Sequence, residues 1–577
     1  MKNIIGTHLI LLIVGLQLQG FSQTYSKYVI RFTNKNYTPS NLYTVGNPSA
    51  FLSVKALQRR TNQGIAIVQN DLPVNPAYID SVKSAGAVTI LEKSKWLNSV
   101  TIFTNDSIAL VKIHSFPFVQ KVDSVFKFVA KSKNKLIYAR DGKRSENMFQ
   151  NLQKVPSYLQ TNNKMNEKQT SSYDYGLSSV QALMIHIDYL HNLGFSGQGM
   201  TIGVIDAGFF GADTAAVFDS IRNNGQILGT RDFVNPGGNV YTAATHGMMV
   251  LSTMGGNLPG QIIGTAPKAD YWLLRSEDAN TESVIEEYNW VSAAEFADSV
   301  GVDVINSSLG YTEFDNPVQN HTYADMDGNT CISTIGADFA ASKGILVVNS
   351  AGNSGAGTWK YIGAPADADS ILTVGAVDYS QVPASFTSHG PSFDGRIKPN
   401  VADMGENATV AATSGGGVIQ GSGTSFSSPI MAGASACLWQ AFPSMNNMTI
   451  IDFIEQSSSR YTNPDTLVGY GVPNFMAAYL LLSGVQIPGF DNDGVVNAFP
   501  NPFTDEISLV FQSSDTQRVN IEMFDINGKR VYFRNNVARD YGVTCINIDD
   551  LNRLAQGLYL VRISSPNRVV TQKLMKR

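Results

Sequence analysis

Cysteine is scarce in this chain of 577 residues: only Cys331, Cys437 and Cys545 occur. Three thiols allow one disulfide at most and show no CxxC spacing, which excludes a disulfide-built scaffold and a cysteine zinc site. Charge is sparse too. Charged residues make up 15% of the chain and the net charge is -5, so the basic face that a phosphate backbone requires is missing and nucleic acid is excluded as the main partner. Beyond the N-terminus no apolar run approaches the roughly 20 residues needed to cross a bilayer, and no tandem repeat is present. Apolar residues, by contrast, reach 43% and glycine numbers 50, which describes packed domains with many tight turns and close backbone approaches. A chain of this length should divide into two to four units.

The texture changes along the chain in a way that marks those units. Residues 1–22 carry Lys2, the apolar run HLILLIVGLQL and the start of the small-residue stretch QGFSQ at 19–23, the layout of a secretory signal whose apolar run is too short for a membrane span. Residues 23–129 read as β-α-β-β-α-β, with helical stretches at 53–62 and 107–114, an order that suits a ferredoxin-like α+β fold. Residues 130–174 turn polar and Lys/Arg-rich, then Asn/Lys/Gln/Ser-rich, as in an exposed linker open to proteolysis. Between 175 and 485 near-continuous apolar strands (TIGVID at 201–206, DVINSSLG at 303–310, ILVVNSAGN at 345–353, ILTVGAVD at 371–378) alternate with helical stretches. Strands buried on both sides predict an α/β fold, a parallel sheet with helices on both faces, whose functional groups gather at the carboxyl ends of the strands. Asp206, Asn306 and Asn353 stand at or near such ends. A short linker, 486–494, leads to residues 495–577, where alternating strands and a type I′ turn signal at Asn527-Gly528 predict a small β-sandwich.

Chemistry concentrates in residues 421–429, GSGTSFSSP, which hold four serines just ahead of an apolar helical run at 429–442 with proline expected in its first turn. A serine there lies beside backbone amides and the positive end of a helix dipole, useful to a developing oxyanion, although serine also serves as a plain N-cap. The spacing of a Gly-x-Ser-x-Gly elbow is absent. A nucleophilic serine needs a base, and the base an orienting acid. Of the seven histidines, His8 falls in the signal, His114 in the N-terminal unit and His321 in a polar stretch. His186 and His191 are five residues apart and off one helical face, and His389 has no evident acid partner. His246 opens THGMMVLSTMGG, where a small-residue helix begins. Asp206 ends an apolar strand, so its carboxylate either functions or pairs with the following turn.

The segments VIDAG, HGMMVLSTMGG and GTSFSSP resemble the three signature segments of subtilases, the subtilisin-like serine peptidases, in the same Asp-His-Ser order. The resemblance implies a subtilisin-like fold, with Asp206 as orienting acid, His246 as general base and Ser425, which follows Gly-Thr, as nucleophile. SAGN at 350–353 resembles the segment whose asparagine, here Asn353, donates to the oxyanion. Ser308, Leu309 and Gly310, with Ser350, Ala351 and Gly352, would line the primary specificity pocket. Gly363 would form its base, ahead of Pro365 at a position that is often cis; such a pocket is open, uncharged and suited to bulky apolar side chains. KPNVADMG (398–405) and GYGVPN (469–474) match later family segments. Met248, Phe426, Ala207 and Met404 depart from the usual residues without removing a catalytic group.

Residues 23–129 resemble subtilase prodomains, which assist folding and block the cleft, and the linker becomes the processing region. Residues 495–577 resemble the C-terminal sorting domain of type IX secretion in Bacteroidetes, through FPNPFTDEI, DINGKRV, GLYLVRI and the basic end KLMKR. The expected protein is thus a secreted serine endopeptidase, exported through the periplasm to the surface or medium. Its expected partners are polypeptide substrates, its own prodomain and the type IX machinery, and it should be monomeric. A catalytically silent surface adhesin on the same scaffold is the competing reading. No cofactor is required; calcium, common in the family, finds only DMDGN at 325–329, which lacks the distal glutamate of an EF-hand loop and reads as a solvent loop.

Overall fold

The computed structural model describes residues 26–36, 43–127, 172–414, 416–484, 496–513, 518–537 and 542–577. The expected signal at 1–22, the linker at 486–494 and all but the last three residues of the linker at 130–174 lie outside the described residues.

The central sheet has seven strands in the spatial order Val401–Met404, Leu372–Val377, Leu346–Ser350, Val304–Ser307, Thr201–Asp206, Asp270–Arg275 and Ile227–Asp232, all parallel. Side chains of period two send alternate residues to opposite faces. Ile202, Val204, Val304, Leu346 and Val348 enter one core, together with the helices His246–Gly255 and Thr424–Ala441. Ile205, Ile305, Ile345 and Val347 enter the other, against Ile285–Val300 and Ile332–Ser342. The apolar runs read from the sequence are continuous because both faces are covered.

The N-terminal unit is a four-stranded antiparallel sheet in the order Thr89–Ser94, Ser99–Phe103, Ser26–Phe32, Val119–Lys127, the ferredoxin-like arrangement. One helix assignment changes. The helix that fills this unit's core is Pro76–Lys83, through Ile79 and Val82, alongside Ser107–His114 through Ala109 and Ile113. The expected helix at 53–62 exists as Val54–Asn62, capped by the Ser53 side chain, but it contributes nothing to that core. It faces the catalytic unit instead, with Arg59 and Arg60 buried. A pattern of apolar positions marks a buried stripe without saying which core receives it.

The C-terminal unit packs a three-stranded and a four-stranded sheet around one core that includes Phe503, Phe511, Ile521, Val561 and Leu574. The hairpin of Val519–Asp525 and Arg530–Val537 differs in detail from expectation. Gly528 N–H donates to Asp525 O at 3.0 Å, and Gly528 alone takes a positive φ, of 77°. A type I′ turn needs positive φ at both central residues. Here four residues, 526–529, join the strands, and Asp525 Oδ1 accepts from the Asn527 and Lys529 amides at 2.9 Å each.

Candidate active site

The strand Thr201–Asp206 is buried along its whole length, so Asp206 emerges at its carboxyl end with no exposed surface. Asp206 Oδ1 accepts from the Ala207 amide at 2.7 Å, and Oδ1 and Oδ2 lie 2.9 and 3.0 Å from His246 Nδ1. Turn pairing and imidazole contact therefore occur together at this carboxylate. His246 is the first residue of its helix. Gly247 lets that helix approach: a Cβ there would stand 2.5 Å from Gly208 O and 2.9 Å from Asp206 Cβ. Burial pulls the imidazole pKa down, but the Asp206 charge and hydrogen bond outweigh it and hold the pKa above its ordinary value. Met248 is buried in the core on the far side of the helix, and Phe426 fills the space that Gly421 leaves, where a Cβ would meet its ring at 2.6 Å.

Ser425 is the second residue of the helix Thr424–Ala441, which begins five residues earlier than proline placement had predicted. Pro429 thus lies inside the helix. With no N–H it cannot bond the carbonyl four residues back, that of Ser425. The Ser308 hydroxyl takes its place, donating to Ser425 O at 3.0 Å. The other serines of the segment are engaged elsewhere: Ser427 Oγ donates to Thr424 O, Ser428 Oγ to Asn306 Oδ1, and Ser422 Oγ accepts from the Asn407 amide. His246 and Phe426 have ring centroids 6.4 Å apart, which sets the imidazole beside the start of the serine helix. Among the described residues the Ser425 hydroxyl makes no hydrogen bond.

Asn353 follows the strand Leu346–Ser350. Its Oδ1 accepts from Thr424 N–H at 2.9 Å and from Thr424 Oγ1 at 3.0 Å. This orientation leaves Nδ2 a donor without a partner among the described residues. Phe426 N–H is taken by Gly423 O, so among the first helical amides that of Ser425 is unengaged among the described residues. A Cβ at Gly423 would lie 3.6 Å from Asn353 Nδ2 and 3.7 Å from Ser425 N. Two donors thus flank one small space that only glycine leaves open. Thr424 is the residue that sequence reasoning passed over; its signal was the Gly-Thr-Ser order itself.

The expected pocket residues are brought together in two steps. Ser308 touches Ser425, and its Oγ also receives Asn306 Nδ2 at 3.3 Å. Gly352 N–H donates to Thr424 Oγ1 at 3.2 Å, and Ala351 N–H to Val374 O at 2.9 Å, while Ser350 ends its buried strand. Leu309 O accepts from Asn349 Nδ2 at 3.2 Å, tying the two segments to each other. Gly310 is exposed, and a Cβ there would meet Ala364 O at 3.9 Å. Gly363 reaches this group only through its neighbours, because Tyr311 and Ala364 pair through their backbones and a Cβ at Gly363 would press on Thr312 at 2.8 Å. The Ala364-Pro365 peptide is cis.

Two other histidines have structural partners. His191 is a core residue between Tyr175 Oη (2.6 Å) and Thr265 O (2.9 Å), and His321 Nε2 pairs with Glu287 at 2.8 Å. Glu287, His321 and Cys331 bring metal-ligand atoms within 4.8 Å of one another, as do Glu277, Glu282 and Glu286. Glu287 is nevertheless committed, its second oxygen accepting from Ser333 N and Oγ. In the DMDGN loop Asp327 accepts from the Asn329 and Thr330 amides and from Thr330 Oγ1, so its carboxylate serves its own turn.

Residues 197–471 match the subtilase family, residues 27–141 the peptidase S8 propeptide domain of Bacteroidota, and residues 497–577 a secretion system C-terminal sorting domain. Subtilisin E of Bacillus subtilis (strain 168) is 30% identical over 351 residues, spanning 60% of this chain and 81% of the relative. The subtilisin of Bacillus pumilus is 30% identical over 312 residues, spanning 53% and 98%. Among solved structures, fervidolysin from Fervidobacterium pennivorans, a keratinolytic enzyme related to subtilisin, shares the fold with a TM-score of 0.51 at 18% identity, covering 95% of this chain and 72% of that one. The sorting domain directs type IX export to the cell surface or extracellular space, and no helix among the described residues is long and apolar enough to cross a membrane. The chain belongs to the subtilase family: it is a subtilisin-like serine peptidase with a propeptide domain before it and a secretion sorting domain after it.

Proposed function

We propose that this peptidase is an endopeptidase made as an inhibited precursor and that it works through an acyl-enzyme formed on Ser425. Ser425 Oγ attacks the scissile carbonyl while His246 Nε2 takes its proton and then delivers it to the leaving amine; water repeats the sequence in reverse to release the acid. Asp206 holds the imidazole with Nδ1 protonated and stabilises the imidazolium. Asn353 Nδ2 and the Ser425 amide receive the oxyanion. Ser308, Leu309, Gly310, Ser350, Ala351, Gly352 and Gly363 border the pocket for the side chain preceding the cut bond, and its uncharged lining favours bulky apolar groups. The catalytic unit is assigned to 175–485, the prodomain to 23–129 and the processed segment to 130–174.

The observation that carries this reading is the buried Asp206 carboxylate bridging His246 Nδ1 beside the amino end of the helix that bears Ser425. The other three serines of the segment have partners that Ser425 Oγ lacks. A fluorophosphonate probe should label the processed enzyme at Ser425, and Ser425→Ala should abolish labelling. Persistent labelling at Ser427 or Ser428 overturns the assignment.

A further inference from the structure

The helix Val54–Asn62 docks on the catalytic unit at a place remote from the active site. Asp206, Asn353 and Ser308 stand at or just past the carboxyl ends of the strands. The helix instead meets residues 301–303, 343–344 and Thr201, which precede or open Val304–Ser307, Leu346–Ser350 and Thr201–Asp206. Strands of this length separate the two ends by roughly 10–17 Å.

The contact is a charge cluster with a shaped rim. Arg59 Nη2 donates to Asp298 Oδ1 at 2.6 Å, Nε to Lys343 O at 3.2 Å, and Nη1 to Val302 O. Arg60 Nη2 reaches both Asp298 oxygens at 2.9 Å, and Lys95 Nζ reaches Oδ2 at 2.8 Å. All three cations come from the prodomain, and Asp298 is wholly buried. In return, Lys343 of the catalytic unit pairs with prodomain Asp71 at 3.1 Å. Gly301 and Gly344, with φ of +88° and +83°, form the rim: a Cβ on Gly301 would stand 2.7 Å from Lys55 Cβ, and one on Gly344 2.6 Å from Gln63 Nε2.

A carboxylate and carbonyl oxygens converging on one planar fork are the complement of a guanidinium. We propose that the catalytic unit carries an arginine-binding exosite, centred on Asp298 at the amino ends of the sheet, that keeps the prodomain bound after the linker is cut. This rests on the reading of residues 23–129 as an inhibitor and adds where the inhibitor is held. Occupancy of the cleft and retention of the prodomain are then separable, because they use opposite ends of the same strands. Arg59 alone joins Asp298 to the Val302 and Lys343 carbonyls, so its loss strips one of three cations from a buried carboxylate and leaves two buried carbonyls without this donor, which is the reason a single substitution should loosen the domain.

The test uses the full chain with Ser425→Ala, so that no step depends on catalysis, and with a site-specific protease sequence inserted in the linker. After cutting, the two fragments should coelute on size exclusion. Arg59→Ala should raise their dissociation rate by at least about 100-fold, and the milder Arg59→Lys, which keeps charge but loses the fork, and Lys55→Ala should each raise it measurably. Gln319→Ala, which removes an exposed contact to Ser124 O on the prodomain's last strand, should change it little. If Arg59→Ala does not fold, Arg59→Lys and Lys55→Ala carry the test. Immediate separation of the unsubstituted fragments overturns the exosite, as do equal rates across the Arg59 and Lys55 variants. With Ser425 restored, peptidase activity while the fragments still coelute supports the exosite and removes the inhibitory reading.

Discussion

The Ser308 hydroxyl satisfies the Ser425 carbonyl at 3.0 Å because Pro429 cannot. One proline in the serine helix thereby ties the strand end that borders the pocket to the residue proposed as nucleophile. Ser308→Ala should leave a buried carbonyl without a donor and cost about 1–3 kcal/mol by denaturant unfolding. Pro429→Ala restores an N–H four residues on, so the double variant should lose much less than Ser308→Ala alone. Additive costs in this cycle would disprove the link.

The acid side of the pH profile should report His246. The Asp206 carboxylate holds the imidazole pKa above its ordinary value, and the imidazole must be neutral to act as base, so kcat/KM should fall as pH drops through a midpoint above about 6.5. Asp206→Asn removes the charge that raises it. The midpoint should move down, and kcat should fall by about 10³–10⁴-fold, the order expected when an orienting acid loses its charge. The same pair has a stability side: a raised imidazole pKa stabilises the fold fully below the unfolded value, and this is lost as pH rises through the folded one.

Asn353 has one amide atom for the fold and one for the proposed oxyanion. Asn353→Asp keeps the acceptor for Thr424 while deleting the donor, whereas Asn353→Ala deletes both. Both should lower kcat by about 10²–10³-fold with little change in KM, a range that comes from a subtilisin and not from this chain. Asn353→Ala alone should also lower thermal stability. A large rise in KM with kcat preserved would point to ground-state binding instead.

Asp403 should make the protein less stable as pH rises. It is fully buried, its Oδ1 accepts from the Met404 amide at 2.6 Å and its Oδ2 has no partner among the described residues, and burial pushes its pKa well up. The folded chain keeps this carboxyl protonated where the unfolded chain ionises it, so the unfolded state gains with every pH step above its own carboxylate range. Asp403→Asn should be more stable than the parent at pH 9 and close to it near pH 4, read from thermal melts. A gap that does not grow with pH would refute this.

Much of the architecture was legible because both-face burial writes itself as unbroken apolar strands, and Thr201–Asp206 and Leu346–Ser350 were read as such. The site was legible through local motifs: His-Gly at a helix start, Gly-Thr-Ser at another. Less legible were contacts that depend on neighbours distant in the chain. The helix at 53–62 is legible as a helix, but the surface it packs on is not, since its partner Asp298 lies more than two hundred residues away. Pro429 was placed in the first turn by a sound preference, but the tertiary donor Ser308 removed the cost of having it deeper. The Asn527-Gly528 signal located its hairpin, and the loop length decided the turn type.

Sequence by itself determined the order of units, the family and the identity of the residues proposed for chemistry, because each is carried by a short local pattern of residue types. Only the tertiary structure decided how they are held: which carboxylate straddles His246, what frees the Asn353 amide, what fills the Ser425 carbonyl, and where the prodomain grips. Those outcomes depend on hydrogen-bond partners and buried charges that meet only after the strands are stacked, and no local preference encodes a partner hundreds of residues away.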